Sequence, residues 1–181
     1  MSDPLKSGAA TSERTTGRVA GLQRSAGGVP KLAIDGAAVR FAGMEGDWQR
    51  NRKYHGGPDR ALCLYSMELI KALAAEGHAI VPGALGENVT LSGLPWKDII
   101  LGARLHIGTA DVQVTAFAEP CRQIEHVFQG RRIGRVAEKV NPGWSRVYAR
   151  VLREGRIQVG DAAGILSGNS EEQLERSINI N

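Results

Sequence analysis

Short stretches in which apolar and polar residues alternate are the main pattern of this chain, and they predict β-strands. The clearest is 111–117, where Val112, Val114 and Ala116 alternate with polar or bulky neighbours at the period of two that a half-buried strand shows. Strands are also predicted at 18–24, 88–91 and 104–107, and the short apolar run 61–65 is consistent with a buried strand. Residues 147–153 and 156–159 are predicted to form a hairpin around Glu154 and Gly155.

Helical spacing is rare in the chain. Ser66 is a predicted N-cap, Leu69, Ile70 and Leu73 follow it as one apolar stripe, and Gly77 is the predicted stop. A shorter helix is predicted at 122–128, after Pro120. Strands outnumber helices and do not alternate with them, which predicts a mainly β fold, an antiparallel barrel or sandwich with a few helices.

The same patterns predict one domain with two tails. Residues 1–16 are small and polar and predict a disordered N-terminal tail, residues 17–166 predict a single domain, and residues 167–181 predict a C-terminal tail or short helix. The longest apolar run, 61–65, is far shorter than the ~20 residues of a membrane span, and no secretory signal pattern is present. We therefore expect a cytoplasmic protein without a membrane partner.

Composition and charge narrow the function classes. The 181 residues are 42% hydrophobic and 23% charged, which excludes collagen, a coiled coil and wholesale disorder. Neither GxGxxG, GxxxxGK[ST] nor HExxH occurs, so these nucleotide and zinc fingerprints are absent. The net charge is +4, and residues 121–156 hold nine Arg or Lys against three Glu. Such a region suits an anionic partner, which could be a phosphate-bearing cofactor, a nucleotide or nucleic acid, or it is a solvated basic face.

The two cysteines stand in unlike settings. Cys121 follows Pro120, opens the predicted short helix and precedes Arg122, so a helix N-terminus and a positive charge are expected to favour its thiolate. The thiolate is the form that attacks an electrophile or ligates a metal. Cys63 sits in an apolar strand and is interpreted as a core residue.

Three further segments hold candidate binding residues. His55 and Arg60 lie in a glycine- and proline-rich loop whose donors either hold a phosphate or belong to a plain turn. Asn88 could recognise the edge of a heterocycle, or it serves the turn before a strand. Arg146 and Arg150, with nearby aromatic rings, could bind single-stranded nucleic acid, but exposed arginines with buried rings are the favoured interpretation.

Taken together, these segments resemble the MOSC domain, named for the C-terminal domain of molybdenum cofactor sulfurase. The resemblance is carried by 19–31, 55–61, 86–88, the Pro120–Cys121 pair, 142–146 and 159–161. Their order and spacing are similar to those of stand-alone bacterial members and cover residues 17–165.

The resemblance implies a barrel-like β fold and a bound molybdenum cofactor. By the motif match, Cys121 would be the molybdenum ligand, and His55, Arg60, Asn88 and Arg122 would bind the cofactor or position the substrate. Related members carry Arg-Pro-Asn where this chain has Gly86-Glu87-Asn88, so the arginine is missing. We expect another arginine, Arg60 or Arg122, to make its anion contact. Pyridoxal phosphate is not expected, because the chain is too short to add the domain that binds it.

The leading hypothesis is an oxidoreductase that reduces small N-hydroxylated substrates. A separate protein would donate the electrons, since the chain has no flavin or iron–sulfur motif. A second hypothesis is a sulfur transferase in which Cys121 carries a persulfide. A third is a module that binds anions or nucleic acid without chemistry, although nucleic acid is the partner that we expect least.

Overall fold

The computed structural model describes residues 16–48 and 56–166, and β-strands dominate this part of the chain. Its eleven strands are β1 (Thr16–Arg24), β2 (Leu32–Ile34), β3 (Gly36–Arg40), β4 (Gly43–Met44), β5 (Leu62–Ser66), β6 (Val89–Ser92), β7 (Arg104–Ile107), β8 (Ala110–Ala118), β9 (Arg146–Arg153), β10 (Gly155–Gln158) and β11 (Ala162–Leu166). A single α-helix, α1 (Met67–Ala75), lies among them, and five short 3₁₀ helices complete the described structure. The mainly β prediction is confirmed.

Seven of the strands form a closed barrel. Their order is β11-β7-β8-β9-β5-β6-β1, and β1 pairs in turn with β11, so that Thr16 lies opposite Gly164. Closure leaves none of these seven strands as an open edge of the barrel. The pairs are antiparallel except for β5 and β6, which run parallel.

A parallel pair needs a crossover connection, and α1 supplies part of it. Ser66 caps the helix as predicted, because its hydroxyl oxygen accepts a hydrogen bond from the N–H of Leu69 at 3.3 Å. Ile70 and Leu73 face the core, and Gly77 takes the positive φ of 89° that ends the helix.

Side chains on the two faces of the barrel wall, where β5 and β9 pair, belong to different hydrophobic clusters. Leu62, Leu64 and Val147 belong to the main hydrophobic core. Cys63 and Tyr148, which are directly paired across β5 and β9, belong to a small second cluster with Ala118. Because side chains alternate along a strand, this second cluster lies on the outer face of the wall.

A β-bulge in β8 determines which residues reach that outer face. The register shifts between Val114 and Ala116, so that Ala116 pairs with Tyr148 and Ala118 pairs with Arg146. The simple alternation predicted for 111–117 is therefore wrong after Val114, because the extra residue moves Ala116 to the opposite face.

The predicted hairpin around Glu154 is also wrong. Residues 155–158 do form a strand, but β10 pairs with β3, with Ile157 opposite Ala37, in a separate sheet of order β10-β3-β4. Strand β9 instead pairs with β8 along one edge and, at residues 147–149, with β5 along the other.

The remaining boundary predictions are only partly covered by the structure. Thr16 already belongs to β1, whereas the rest of the predicted N-terminal tail and all of 167–181 lie outside the described residues. The division into one domain and two tails stays a prediction. In the described part of the chain no helix has the length and apolar character needed to cross a membrane.

Candidate functional site

A pocket of about 500 Å³ lies on the outer face of the barrel wall where β5 and β9 pair. Cys63 and Tyr148 contribute from the wall itself. Three loops, at 25–31, 85–88 and 119–124, supply most of the remaining lining. The volume is within the range of about 300–1,000 Å³ typical of small-molecule sites.

Cys121 lines this pocket and is partly exposed. It stands in extended conformation after β8, and its carbonyl accepts a hydrogen bond from the N–H of Ile124 at 3.1 Å. The helix that follows is a six-residue 3₁₀ helix, Arg122–Val127, and not an α-helix. A helix this short adds little dipole field, so any strong positive field at the thiol must come from charged side chains.

Cys63 lines the same pocket as part of the barrel wall but is only 4% exposed. Burial raises the pKa of its thiol to about 11, although the charge of Arg146 acts in the opposite direction. At neutral pH Cys63 is therefore a protonated thiol. Its interpretation as a packed core residue is confirmed, and its place in the pocket wall was not predicted.

Asn88 is fully buried, and its amide makes its hydrogen bonds inside the protein. Its Oδ1 accepts from the N–H of Cys63 at 3.1 Å, and its Nδ2 donates to Asp47 Oδ2 at 3.0 Å and to the carbonyl of Gln23 at 3.3 Å. The side chain thus joins β1, β5 and the loop that carries Asp47. A direct contact of Asn88 with a cofactor stays a prediction.

A buried ion pair stands beside Asn88. Lys31 Nζ lies 2.5 Å from Asp47 Oδ2, and both side chains are less than a tenth exposed. The other carboxylate oxygen, Oδ1, accepts from the N–H of Ser25 at 2.9 Å. Asp47 therefore receives three donors and fixes the loop at 25–31 against the barrel. Because the pair is internally neutral, Lys31 adds little net charge to the pocket.

Arg146 is the main source of positive charge in the pocket. Its side chain lines the pocket and the residue is only 6% exposed, so the prediction of an exposed Arg146 is wrong. Nη1 donates to the carbonyl of Leu85, and Nε has no hydrogen-bond partner among residues 16–48 and 56–166. No carboxylate of that same part lies within ion-pair distance. A guanidinium stays protonated, so a buried one with unused donors favours an anion.

The sequence contained a signal for this placement. Arg146 and Tyr148 are two residues apart on one strand, so they share a face. The sequence predicts that the ring of Tyr148 is buried. Because Arg146 lies on the same face of the strand, the same prediction should have been made for Arg146. Tyr148 is indeed only 9% exposed.

Glu87 is another buried ionisable group, and it lies next to Gly86 and Asn88, which line the pocket. Its Oε1 accepts from the N–H of Gly83 at 2.7 Å, whereas Oε2 has no hydrogen-bond partner in the described structure. Burial raises the pKa of this carboxyl group. The charge of Arg146 acts on this pKa in the opposite direction, but burial has the larger effect.

The other predicted site residues are less central. His55 lies outside the described residues. Arg60 ends a 3₁₀ turn, and its guanidinium stands 5.4 Å from the ring centroid of Tyr148 without itself lining the pocket. Arg122 is exposed next to Cys121 and does not line the pocket either. The roles predicted for these three residues stay predictions.

Two further arginines of strand β9 take part in ion pairs on the surface. Arg150 pairs with Asp59 at 3.4 Å, and Arg153 pairs with Asp111 at 2.7 Å. Arg146 and Tyr148 are buried. The preferred interpretation, exposed arginines with buried rings, is therefore confirmed for Arg150 and Tyr148 and is wrong for Arg146.

Known proteins share both sequence and fold with this chain. The family model described as MOSC domain matches residues 51–163. The protein YiiM of Escherichia coli is 29% identical over 158 residues, which cover 84% of this chain and 69% of YiiM. The protein YflK of Bacillus subtilis is 32% identical over 142 residues, which cover 77% of this chain and 63% of YflK. The crystal structure of YiiM from Geobacillus stearothermophilus has a TM-score of 0.64 and 26% identity, and the match covers 83% of this chain and 75% of that one.

Proposed function

Because this chain belongs to the MOSC domain family, we propose that its pocket binds a molybdenum cofactor, with Cys121 as the thiolate ligand of the metal. The observation that carries the proposal is the pairing of two unlike groups in one pocket. A partly exposed thiol and a buried, partly unpaired guanidinium both line it.

The residues of the pocket fit the chemistry of such a cofactor. A cysteine thiolate is a soft ligand of the type that suits molybdenum. The phosphate of the cofactor needs a cation or backbone N–H groups, and Arg146 offers a buried cation with an unused N–H donor. Cys63 stays protonated well above neutral pH, so it does not compete with Cys121 as a ligand.

Arg146 lies close to the position of Gly86, at which related proteins carry an arginine that this chain lacks. Its Nη1 donates to the carbonyl of Leu85, so the guanidinium reaches the segment in which related proteins carry their arginine. We propose that Arg146, and not Arg60 or Arg122, makes the anion contact of the missing arginine. The Lys31–Asp47 pair holds the opposite loop in place and leaves the charge of Arg146 uncompensated.

The proposed reaction is the reduction of a small N-hydroxylated substrate. The bound cofactor would supply two-electron chemistry at its metal. The overall change is the loss of the N–O bond, in which R–NHOH takes up two electrons and two protons and gives R–NH₂ and water. A separate electron-donor protein would provide the electrons. We keep cytoplasmic localisation and the absence of pyridoxal phosphate as expectations.

Metal analysis tests the proposal. The protein is expressed in a host that makes the cofactor, and molybdenum per chain is measured for the wild type and for Cys121→Ser, Arg146→Met and the matched control Cys63→Ser. We expect the wild type to hold molybdenum, Cys121→Ser and Arg146→Met to lose it, and Cys63→Ser to keep it. The control variant should lose about 1–3 kcal/mol of stability, because it buries a poorly satisfied hydroxyl.

The same samples decide between the proposal and its alternatives. Full molybdenum in Cys121→Ser would contradict the assignment of the ligand. A mass increment of one sulfur on Cys121, without molybdenum, would instead favour a sulfur transferase. Wild-type protein that holds neither molybdenum nor sulfur would favour a non-catalytic anion-binding module.

A further inference from the structure

Three exposed arginines lie on the short 3₁₀ helices that follow Cys121. Arg122 begins the helix Arg122–Val127, Arg131 ends the helix Gln129–Arg131, and Arg132 comes directly after it. The two helices pack against each other. In residues 16–48 and 56–166 no carboxylate lies within ion-pair distance of these three guanidinium groups. We call Arg122, Arg131 and Arg132 the arginine surface.

The neighbouring charges leave this surface positive. Arg135 is neutralised by Glu76, because its Nη2 and Nε lie 2.6 Å and 2.9 Å from the two carboxylate oxygens. Glu138 is followed by the exposed Lys139, so these two charges offset each other. The remaining carboxylate of 122–139 is Glu125, which is half-buried. Three exposed cations therefore stand against one anion, and such a surface attracts an anionic partner.

Arg131 has an unusual backbone. Its φ is 57°, and it is the one residue other than glycine with a positive φ in the part of the chain that the structure describes. The left-handed region is costly for a residue with a Cβ, whereas glycine, as at Gly130 with a φ of 65°, adopts it freely. The N–H of Arg131 donates to the carbonyl of Phe128 at 2.9 Å and holds this turn. A strained residue whose charged side chain stays in solvent points to a functional role for that side chain.

The arginine surface adjoins the proposed metal site. Arg122 follows Cys121 directly, and its two sequence neighbours, Cys121 and Gln123, line the pocket whereas Arg122 does not. Its side chain therefore lies on the surface beside the pocket. Glu119, the exposed carboxylate of the same loop, belongs to the pocket lining instead. A partner that docks on the arginine surface comes close to Cys121 and leaves the pocket free for a substrate.

We propose that the arginine surface is the docking site of the electron donor, and that this donor is a redox protein with an acidic face. The inference deepens the proposed function and rests on it for the need of electrons. Two one-electron oxidations of the donor supply the two electrons, which R–NHOH takes up together with two protons from water. Complementary charge steers such an encounter and selects the partner. Nucleic acid would also be attracted to arginines, but it would bring no electrons to the adjacent pocket.

Interferometry with immobilised flavodoxin, an acidic flavin-bearing electron carrier, tests the inference. The full-length protein is measured at low and high salt, in its molybdenum-loaded and molybdenum-free forms. The test variants are Arg122→Gln/Arg131→Gln, which removes two charges, and Arg122→Lys/Arg131→Lys, which keeps them. The matched control is Arg18→Gln/Arg156→Gln, which removes two exposed charges elsewhere, on β1 and β10.

We expect Arg122→Gln/Arg131→Gln to weaken flavodoxin binding about 2- to 30-fold at low salt. The lysine variant should keep most of the affinity, and the control variant should change it less than about twofold. In about 1 M salt, where the Debye length falls to about 3 Å, the difference between wild type and the glutamine variant should disappear. Equal losses in the test and control variants, no loss in the test variant, or no binding of flavodoxin by the wild type would overturn the inference.

Arg131→Gly separates the docking role from a structural one. Glycine adopts a φ of 57° freely, so this variant should keep or raise the urea midpoint while it loses affinity for flavodoxin as Arg131→Gln does. Unchanged affinity in Arg131→Gly would contradict the role of this side chain. Random single-stranded DNA is measured in parallel. If DNA binds more tightly than flavodoxin and loses affinity in the same variants, the surface is a nucleic-acid site and the inference fails.

Molybdenum content separates this inference from the proposed function. The variants of the arginine surface should hold as much molybdenum as the wild type, because these side chains lie outside the pocket. If the wild type holds no molybdenum but binds flavodoxin through its arginines, the proposed function fails and the docking surface for an acidic protein stands. If molybdenum is present and the arginines have no effect on flavodoxin binding, the docking inference alone fails.

Discussion

Alkylation of the folded, cofactor-free protein should label Cys121 first and Cys63 very slowly. With its pKa raised to about 11, Cys63 is a thiolate in only about one molecule in 3,000 at pH 7.5. A thiol with the reference pKa of about 8.5 is roughly 10% ionised at that pH. The smaller thiolate fraction alone therefore lowers the alkylation rate of Cys63 about 300-fold relative to that of an ordinary thiol. Its 4% exposure slows it further, because the reagent must wait for a local opening.

Mass spectrometry of iodoacetamide-treated protein, digested after timed quenching, measures both rates. Cys121 should be labelled within minutes under conditions that leave Cys63 unmodified, and unfolding in urea should bring Cys63 to a comparable rate. Raising the pH from 7.5 to 9.5 should speed Cys63 by about tenfold per unit, since its thiolate fraction grows by that factor below a pKa of about 11. Rapid labelling of Cys63 in the native protein, or equal rates for the two cysteines, would refute both the burial argument and the assignment of Cys121 as the reactive thiol.

Three further predictions concern the buried charges and the basic region. Burial raises the pKa of Glu87, so the stability that this carboxyl group contributes is fully present below its unfolded pKa and is lost as the pH rises. The stability of Glu87→Gln relative to wild type should therefore increase between pH 4 and pH 7. A difference in urea midpoints that stays constant over this range would contradict the prediction. Asp47→Ala leaves the Lys31 ammonium buried without its partner and should lower the free energy of unfolding by about 3–5 kcal/mol, whereas Asp59→Ala, at an exposed pair, should cost less than about 1 kcal/mol. Random single-stranded DNA should bind the metal-free protein weakly and with strong salt dependence, and tight binding that resists salt in a filter assay would count against a cofactor pocket.

The parts of the fold set by local pattern could be predicted from the sequence. The capped helix at Ser66, the strand before it and the pair of strands around 104–118 follow from side-chain periodicity and turn residues within a few positions. Which strands pair with each other could not be predicted. Strand β10 follows β9 in the chain but pairs with β3, and this choice depends on how the whole chain is arranged in space.

The candidate site shows the same division. Cys121 could be found because its loop setting and its family motif are local. The burial of Arg146 could have been predicted from the face that it shares with Tyr148, but its contact with the carbonyl of Leu85 could not, because that carbonyl belongs to a loop distant in sequence. The pairing of Lys31 with Asp47 depends on two loops that are brought together only when Ser25 and Asn88 also bond to the carboxylate. No spacing rule links these residues.

The pairing of β1 with β11 has a consequence for how the protein folds. These strands are the first and the last of the described structure, so their contact has one of the longest sequence separations available in the chain. Loop-closure entropy must be paid before this contact forms, which predicts a high relative contact order and slow folding. During synthesis β1 can pair with β6 well before β11 has left the ribosome. Until then the nascent sheet stays open along β1 and β7, and a chaperone that covers exposed strand edges would act on it at this stage.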